Sequence, residues 1–204
     1  MTESEEYWTD FYKQKIAPES ESNFAQFVLD YLVKERLTSK QLIDVACGNG
    51  RDTFFFESHG ICSTGVDQSV QPKAERPKFI QDDIISFDYK FFNIIYLRFI
   101  VHALSEDQLD HLLKRIRESV NDATIFIETR SSKGITDQDK SETFFNSGIG
   151  KEHFRLLYSE EYLTNKLQAN FEVLFIKESK GFSMFKDQDP VCIRYILRKK
   201  NKFI

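Results

Sequence analysis

No apolar run in this chain reaches the ~18 residues that a membrane span requires, so no membrane role is expected. Cysteine is scarce. Cys47, Cys62 and Cys192 form an odd set without Cys-x-x-Cys spacing. They supply neither a disulfide framework nor a zinc site, and a reducing compartment fits them best. The first ten residues, MTESEEYWTD, lack the apolar core of a secretory leader, which makes a cytoplasmic protein the expectation. Positive charge is not in excess either. Lys and Arg number 28 against 32 Asp and Glu, for a net charge of −4. A general affinity for nucleic acid needs a basic face, so none is expected. The basic run RKKNK at 198–202 reads as a solvated tail. Internal repeats and low-complexity segments are absent. Phenylalanine is what abounds, at 20 of 204 residues, and one domain with a phenylalanine-rich core is expected.

Periodicity predicts helices over 3–15 and 21–36, then strands and helices in alternation. Strands are predicted at 41–46, 61–66, 78–81, 93–97, 123–128, 171–177 and 191–197. Helices are predicted over 51–58, after Ser105 and over 159–167, the second of them opened by a capping box of Ser105 and Gln108. This order implies an α/β, Rossmann-like fold with a mainly parallel sheet of seven strands. Residues 1–36 form an N-terminal helical lid in this reading. Residues 130–157 are weakly patterned and long for a connection, so a substrate-side loop or insertion is expected there.

The stretch LIDVACGNGRDTFFF, 42–56, reads as a buried strand, a glycine turn and a helix start. A dinucleotide site wants a third glycine so that helix and strand pack closely; Thr53 stands in its place. A P-loop wants a lysine after the last glycine, and none follows suitably. Charge weighs more. Pyrophosphate binds a helix N-terminus through exposed N–H groups and the dipole, yet Asp52 already places an anion in the first turn and Asp44 sits just below it. Two acids repel pyrophosphate and suit a ligand with an ammonium and a sulfonium. S-adenosylmethionine has that character. Asp44 then meets its ammonium, Arg51 or the turn's N–H groups its carboxylate, and Asp67, at the end of the second strand, its ribose hydroxyls. Asp83 accepts from the adenine amino group and Ile84 packs the ring; Asp82 is a solvated neighbour with which Asp83 could exchange roles.

Taken in order, LIDVACGNG, GVDQS, QDDI and FNIIYLRF resemble four motifs of the class I S-adenosylmethionine-dependent methyltransferases. The resemblance spans about residues 40–200. It implies a methyltransferase whose product is S-adenosylhomocysteine. It adds Tyr12, Ala46, Gly48, Gly50, Gln68 and Leu97 to the cofactor-binding set, with Tyr12 or Trp8 of the N-terminal helix as a lid contact. Ala46 replaces the usual first glycine, and Asn93 the acid that often opens the fourth strand.

The acceptor is harder to read. The fourth strand ends YLRF, without the Asn/Asp-Pro-Pro-aromatic run of base amino-group methylation, and no Pro-Cys pair suits cytosine chemistry. A small-molecule or sugar-linked acceptor is expected. Ligands of open α/β sheets bind outside the strands' carboxyl ends, which brings Arg98 and His102 to the methyl group. Arg130, His153 and Arg155 are expected at the same mouth. Arg recognises carboxylate or phosphate as a fork, so the acceptor is expected to be anionic. His102 is the expected base for a hydroxyl acceptor. Each has a plainer reading: His102 as a packed histidine, Arg98 as half of a salt bridge, His153 and Arg155 as exposed loop residues. RFIVHAL, ETRS, HFRLLY and KGFSMFKDQDPVCIRYILRK are similar to methyltransferases of bacterial surface-polysaccharide pathways. That resemblance implies O-methylation of a sugar or phosphoramidate group. Detoxification of a thiol or a selenium or tellurium oxyanion, and a non-catalytic cofactor-binding role, remain as alternatives. No metal site and no oligomeric state are read from the sequence.

Overall fold

The computed structural model describes residues 7, 8, 10, 11, 14, 18–69, 72, 74–119, 122–133, 140–146, 152–185 and 188–200. Helix α1 (Asn23–Lys34) opens on Ser22, whose hydroxyl accepts from the Ala25 N–H. Phe24, Ala25, Val28 and Leu32 make its buried stripe. Then come β1 (Leu42–Val45), α2 (Arg51–Ser58), β2 (Ser63–Asp67), β3 (Lys78–Gln81) and β4 (Ile94–Arg98). A 3₁₀ turn (Val101–Ala103) leads into α3 (Glu106–Ser119), and β5 (Thr124–Arg130) follows. The capping box forms: Gln108 N–H donates to Ser105 Oγ and Ser105 N–H to Gln108 Oε1. The chain ends in β6 (Lys140–Asn146), β7 (Glu152–Tyr158), α4 (Glu160–Gln168), β8 (Phe171–Ser179) and β9 (Cys192–Lys199).

Seven strands form one sheet in the order β3-β2-β1-β4-β5-β9-β8. The first five are mutually parallel; β9 runs antiparallel to both β5 and β8. β1 is buried along its whole length, as a strand covered on both faces must be. Its alternation divides the core. Ile43 and Val45 join Ile95, Leu97, Ile125 and Ile127 on the face covered by α3. Leu42 joins Ile94, Tyr96 and Phe126 on the face covered by α1 and α2. The latter cluster holds Phe24, Phe55 and Phe56, so the phenylalanines concentrate there.

The described residues of the segment 130–157 carry regular strands. β5 runs on through Arg130, and β6 pairs with β7 as a separate antiparallel hairpin. β7 packs on the 3₁₀ turn after β4. Its register places Phe144 opposite Phe154 and Phe145 opposite His153. No helix among the described residues is long and apolar enough to cross a membrane.

Candidate functional site

The parallel strands end at one edge, and the turn after β1 forms its centre. Ala46, Gly48 and Gly50 all have positive φ, at 59°, 57° and 75°. Gly50 caps α2 without a side chain. A Cβ there would lie 2.6 Å from the Phe79 ring, and one on Gly65 would lie 2.7 Å from both Phe79 and Cys47 Sγ. The two glycines therefore let the β3 phenylalanine close against the turn from beneath. Nothing in the sequence around Phe79 announces this. Ala46 has no such freedom. A left-handed alanine costs about 1 kcal/mol, so Ala46→Gly is expected to raise the melting temperature by roughly 2–4 °C, measured by calorimetry; a fall would remove the strain assignment.

Asp67 ends β2 beside this turn. Its Oδ2 accepts from the Gly48 N–H at 2.9 Å, and its Oδ1 from the Ser69 N–H and hydroxyl at 2.8 and 2.7 Å. These bonds fix the position of a carboxylate, a group that accepts hydrogen bonds through both oxygens. Asp44 is buried on β1 and accepts from Thr53 Oγ1 at 2.6 Å. Burial, and next the nearby Asp52, push its carboxyl up to about 8. Thr53, in the third glycine's place, thus holds the acid that a cationic ligand would ionise. Asp83 is exposed at the end of β3. Its Oδ1 accepts from the Ile85 N–H and its Oδ2 from Ser86 Oγ. Gln68 is exposed too, its carbonyl accepting from Gln81 Nε2.

Four cofactor-side expectations change. Asp52 turns away from the turn's N–H groups: its Oδ1 accepts from the Ser22 N–H, and its Oδ2 from Ser22 Oγ and Tyr96 Oη, all at 2.7 Å. Arg51 points the same way, donating to the Ser20 carbonyl at 3.0 Å with Asp52 within 3.9 Å. Asn49 Nδ2 donates to the Pro18 carbonyl. Asn49, Arg51 and Asp52 therefore clasp residues 18–22 to the sheet and do not face a cofactor. Asp52 therefore drops out of the charge argument against pyrophosphate, which keeps Asp44. Ile84 and Leu97 are also corrected, because both side chains are fully buried in the core on the α3 face and have no surface for an adenine ring or a methionine chain. Tyr12 lies outside the described residues.

On the acceptor side the structure brings His102, Arg130, His153 and Arg155 together. Phe99, just past β4, has φ 60°, an outlier for a bulky side chain, held by its N–H on the Glu128 carbonyl. Its ring carries Arg98 at 4.4 Å and Arg130 at 5.7 Å, with the His102 ring 5.2 Å away. Strain of this kind concentrates at functional sites. From the N-terminus, the Tyr7 and Trp8 rings pack on His153 at 4.6 and 5.5 Å. Tyr7 and Trp8 thus meet the hairpin at His153.

Two acceptor-side roles change. Arg98 donates through Nε to Glu128 and through Nη2 to Ser183. Glu128, fully buried, also receives Arg194 at 2.7 Å. Arg98 is first a structural cation, one of two arginines on a shared acid. The His102 ring is neutral and only weakly basic at neutral pH. Burial, then Arg155, Arg130, His153 and Arg98, hold its imidazole well below the usual histidine range. Arg130 and Arg155 behave differently from Arg98. Burial lowers both guanidiniums, Arg155 to about 10, and Arg130 Nε is buried without a hydrogen-bond partner. No group of acids, histidines or cysteines among the described residues could hold a metal ion. A groove of about 450 Å³ lined by Glu19, Gln26, Arg51, Phe55 and His59 lies along the outer side of α2, away from these side chains.

No family model and no curated protein matches the chain. Solved structures do. The chain is similar to the 1,6-didemethyltoxoflavin-N1-methyltransferase of Burkholderia thailandensis, solved with 1,6-didemethyltoxoflavin and S-adenosylhomocysteine. The TM-score is 0.69 at 18% identity, over 87% of this chain and 79% of that one. A S-adenosylmethionine-dependent methyltransferase of Clostridium acetobutylicum matches with a TM-score of 0.62 at 14% identity, over 88% and 92% of the two chains. The glycopeptide N-methyltransferase MtfA, complexed with S-adenosylmethionine, matches at 0.62 and 14%, over 86% and 94%. The fold of this chain is the Rossmann-like methyltransferase fold, a seven-stranded mixed sheet with helices on both faces.

Proposed function

We propose that the protein is a S-adenosylmethionine-dependent methyltransferase acting on a small anionic acceptor. The observation that carries this reading is Arg130, a half-buried guanidinium whose buried Nε has no hydrogen-bond partner, beside His102 at the same sheet edge as the Asp67–Gly48 turn. A buried N–H donor without a hydrogen-bond partner is costly; an anionic ligand would offset that cost. The cofactor side fits as well. Asp44 would meet an ammonium, Asp67 the ribose hydroxyls, Asp83 the adenine amino group, and the left-handed turn at Ala46, Gly48 and Gly50 would let the backbone approach. When bound, S-adenosylmethionine supplies an electrophilic methyl group on a sulfonium. The chain's own side chains position the acceptor against it and exclude water. Within this reading the acceptor is a sugar-linked phosphate or phosphoramidate group of bacterial surface-polysaccharide synthesis, which rests on sequence resemblance, and the setting is cytoplasmic.

The test is S-adenosylhomocysteine formation across matched acceptors: sugar phosphates, phosphoramidates, carboxylates and the corresponding neutral sugars. Turnover confined to the anionic members is expected. Arg130→Gln should raise the acceptor KM about 10–100-fold, the range for loss of a charged hydrogen bond, and leave cofactor affinity unchanged. Equal turnover of neutral acceptors, or an Arg130→Gln enzyme with unchanged KM, would count against the reading.

A further inference from the structure

Around His102 the charged and titratable groups are Arg98 from β4, Arg130 from β5, and His153 and Arg155 from β7. His102 Nδ1 faces β5, 3.3 Å from the Arg130 backbone nitrogen and 3.0 Å from Thr129 Oγ1. A backbone N–H can only donate. Nδ1 is therefore the lone-pair nitrogen, and the single proton of the neutral ring sits on Nε2, on the side of the ring away from β5. His153 is fixed in the other sense, its Nε2 accepting from Arg155 Nε–H at 3.2 Å. The two oxygens of Glu128, on β5, receive Arg98 and Arg194. Asp44 and Asp67 belong to β1 and β2, against Thr53 and the glycine turn. Among these described residues both imidazole lone pairs are already engaged, His102 Nδ1 by β5 and His153 Nε2 by Arg155.

Resting on the methyltransferase reading above, we infer that the attacking atom of the acceptor is an oxygen that arrives already ionised, one oxygen of a phosphate- or carboxylate-type group, and that Arg130 and His102 Nε2–H form a donor-only cradle for that group. Such a group has more than one oxygen, so one is held while another attacks. The attacking lone pair forms the new O–C bond as the methyl carbon's bond to sulfur breaks. That bonding pair stays on sulfur, the sulfonium becomes a neutral thioether, and no proton moves. His102 is a positioning donor in this step. Burial and the four surrounding groups keep its ring neutral, which keeps Nδ1 available to β5 and Nε2 as the donor.

The test reads the imidazoles directly. Long-range ¹H–¹⁵N spectra of the full chain, with and without saturating S-adenosylhomocysteine, report the tautomer of each of the four histidines. His102 is expected in the Nε2–H form without titrating over about pH 5.5–8, whereas an ordinary histidine titrates near ~6.5. Added inorganic phosphate should shift the His102 and His153 signals, and Arg130→Gln should weaken that response at least about tenfold. A His102 found as the Nδ1–H tautomer, titrating near ~6.5, or untouched by phosphate in a protein that binds S-adenosylhomocysteine would overturn this proposal alone. Failure to bind S-adenosylhomocysteine at all would overturn the methyltransferase reading and this proposal with it.

Discussion

Asp44→Asn is expected to make the ligand-free protein more stable and to weaken cofactor binding. The acid is buried, and its folded-state carboxyl lies near 8 against an ordinary 3.8. The folded state therefore binds the extra proton between those values, and stability is highest below the lower one. It falls as pH rises through the window and levels off above the upper. Asparagine keeps an acceptor for Thr53 Oγ1 and removes the ionisation. A gain of about 1–2 kcal/mol is expected at neutral pH, or roughly 2–8 °C in melting temperature for a chain of this size. The pH slope between the two values should flatten as well. Cofactor affinity should fall about 10–100-fold, because the charge that meets the ammonium is gone. In the unaltered protein, cofactor binding near pH 7 should release protons from Asp44, visible as a buffer-dependent binding enthalpy. A less stable Asp44→Asn protein that binds as before would reverse the assignment.

Glu128→Ala should be the most destabilising change at the site. The carboxylate has no exposed surface, and both oxygens are in ion pairs, with Arg98 at 3.1 Å and Arg194 at 2.7 Å. Removing it leaves two buried guanidiniums facing a void beside Arg130. Breaking a buried ion pair in this way costs about 3–5 kcal/mol, or roughly 6–20 °C in melting temperature. Arg194 also lies over the Phe24 and Phe182 rings at 5.2 and 4.2 Å, so the loss should reach α1 and the segment after β8. Urea denaturation followed by circular dichroism checks this. A midpoint within experimental error of the unaltered protein would show that the pairs contribute little.

The sheet was legible because its central strands are short apolar runs bounded by glycine turns and acids. Leu42–Val45 and Ile94–Arg98 could be placed within a residue or two. The hairpin of β6 and β7 was not legible. Beyond an isolated bridge from Ser131 to Tyr158 its described strands pair with each other, and KSETFFN reads as loop. Asp67 and Asp83 were placed by their strand ends. Arg51 and Asp52 were misread because helix-terminus electrostatics says only that an acid in the first turn is favoured, not which way it points. The deciding partners, Ser22 and Tyr96, lie 30 and 44 residues away. The protonation of His102 is hidden from the sequence for a similar reason. Its tautomer depends on a backbone N–H from β5 that no local pattern encodes. Long-range contacts of this kind, such as Phe79 against Gly50, are what a single sequence conceals.

Isothermal titration of the full chain with S-adenosylhomocysteine tests the central claim most directly. A single saturable site is expected, about 10–100-fold weaker in Asp67→Ala, as befits the loss of hydrogen bonds to a charged acceptor, and unchanged in Arg130→Gln. No binding, or binding indifferent to Asp67→Ala in a protein whose melting curve remains cooperative, would contradict the account.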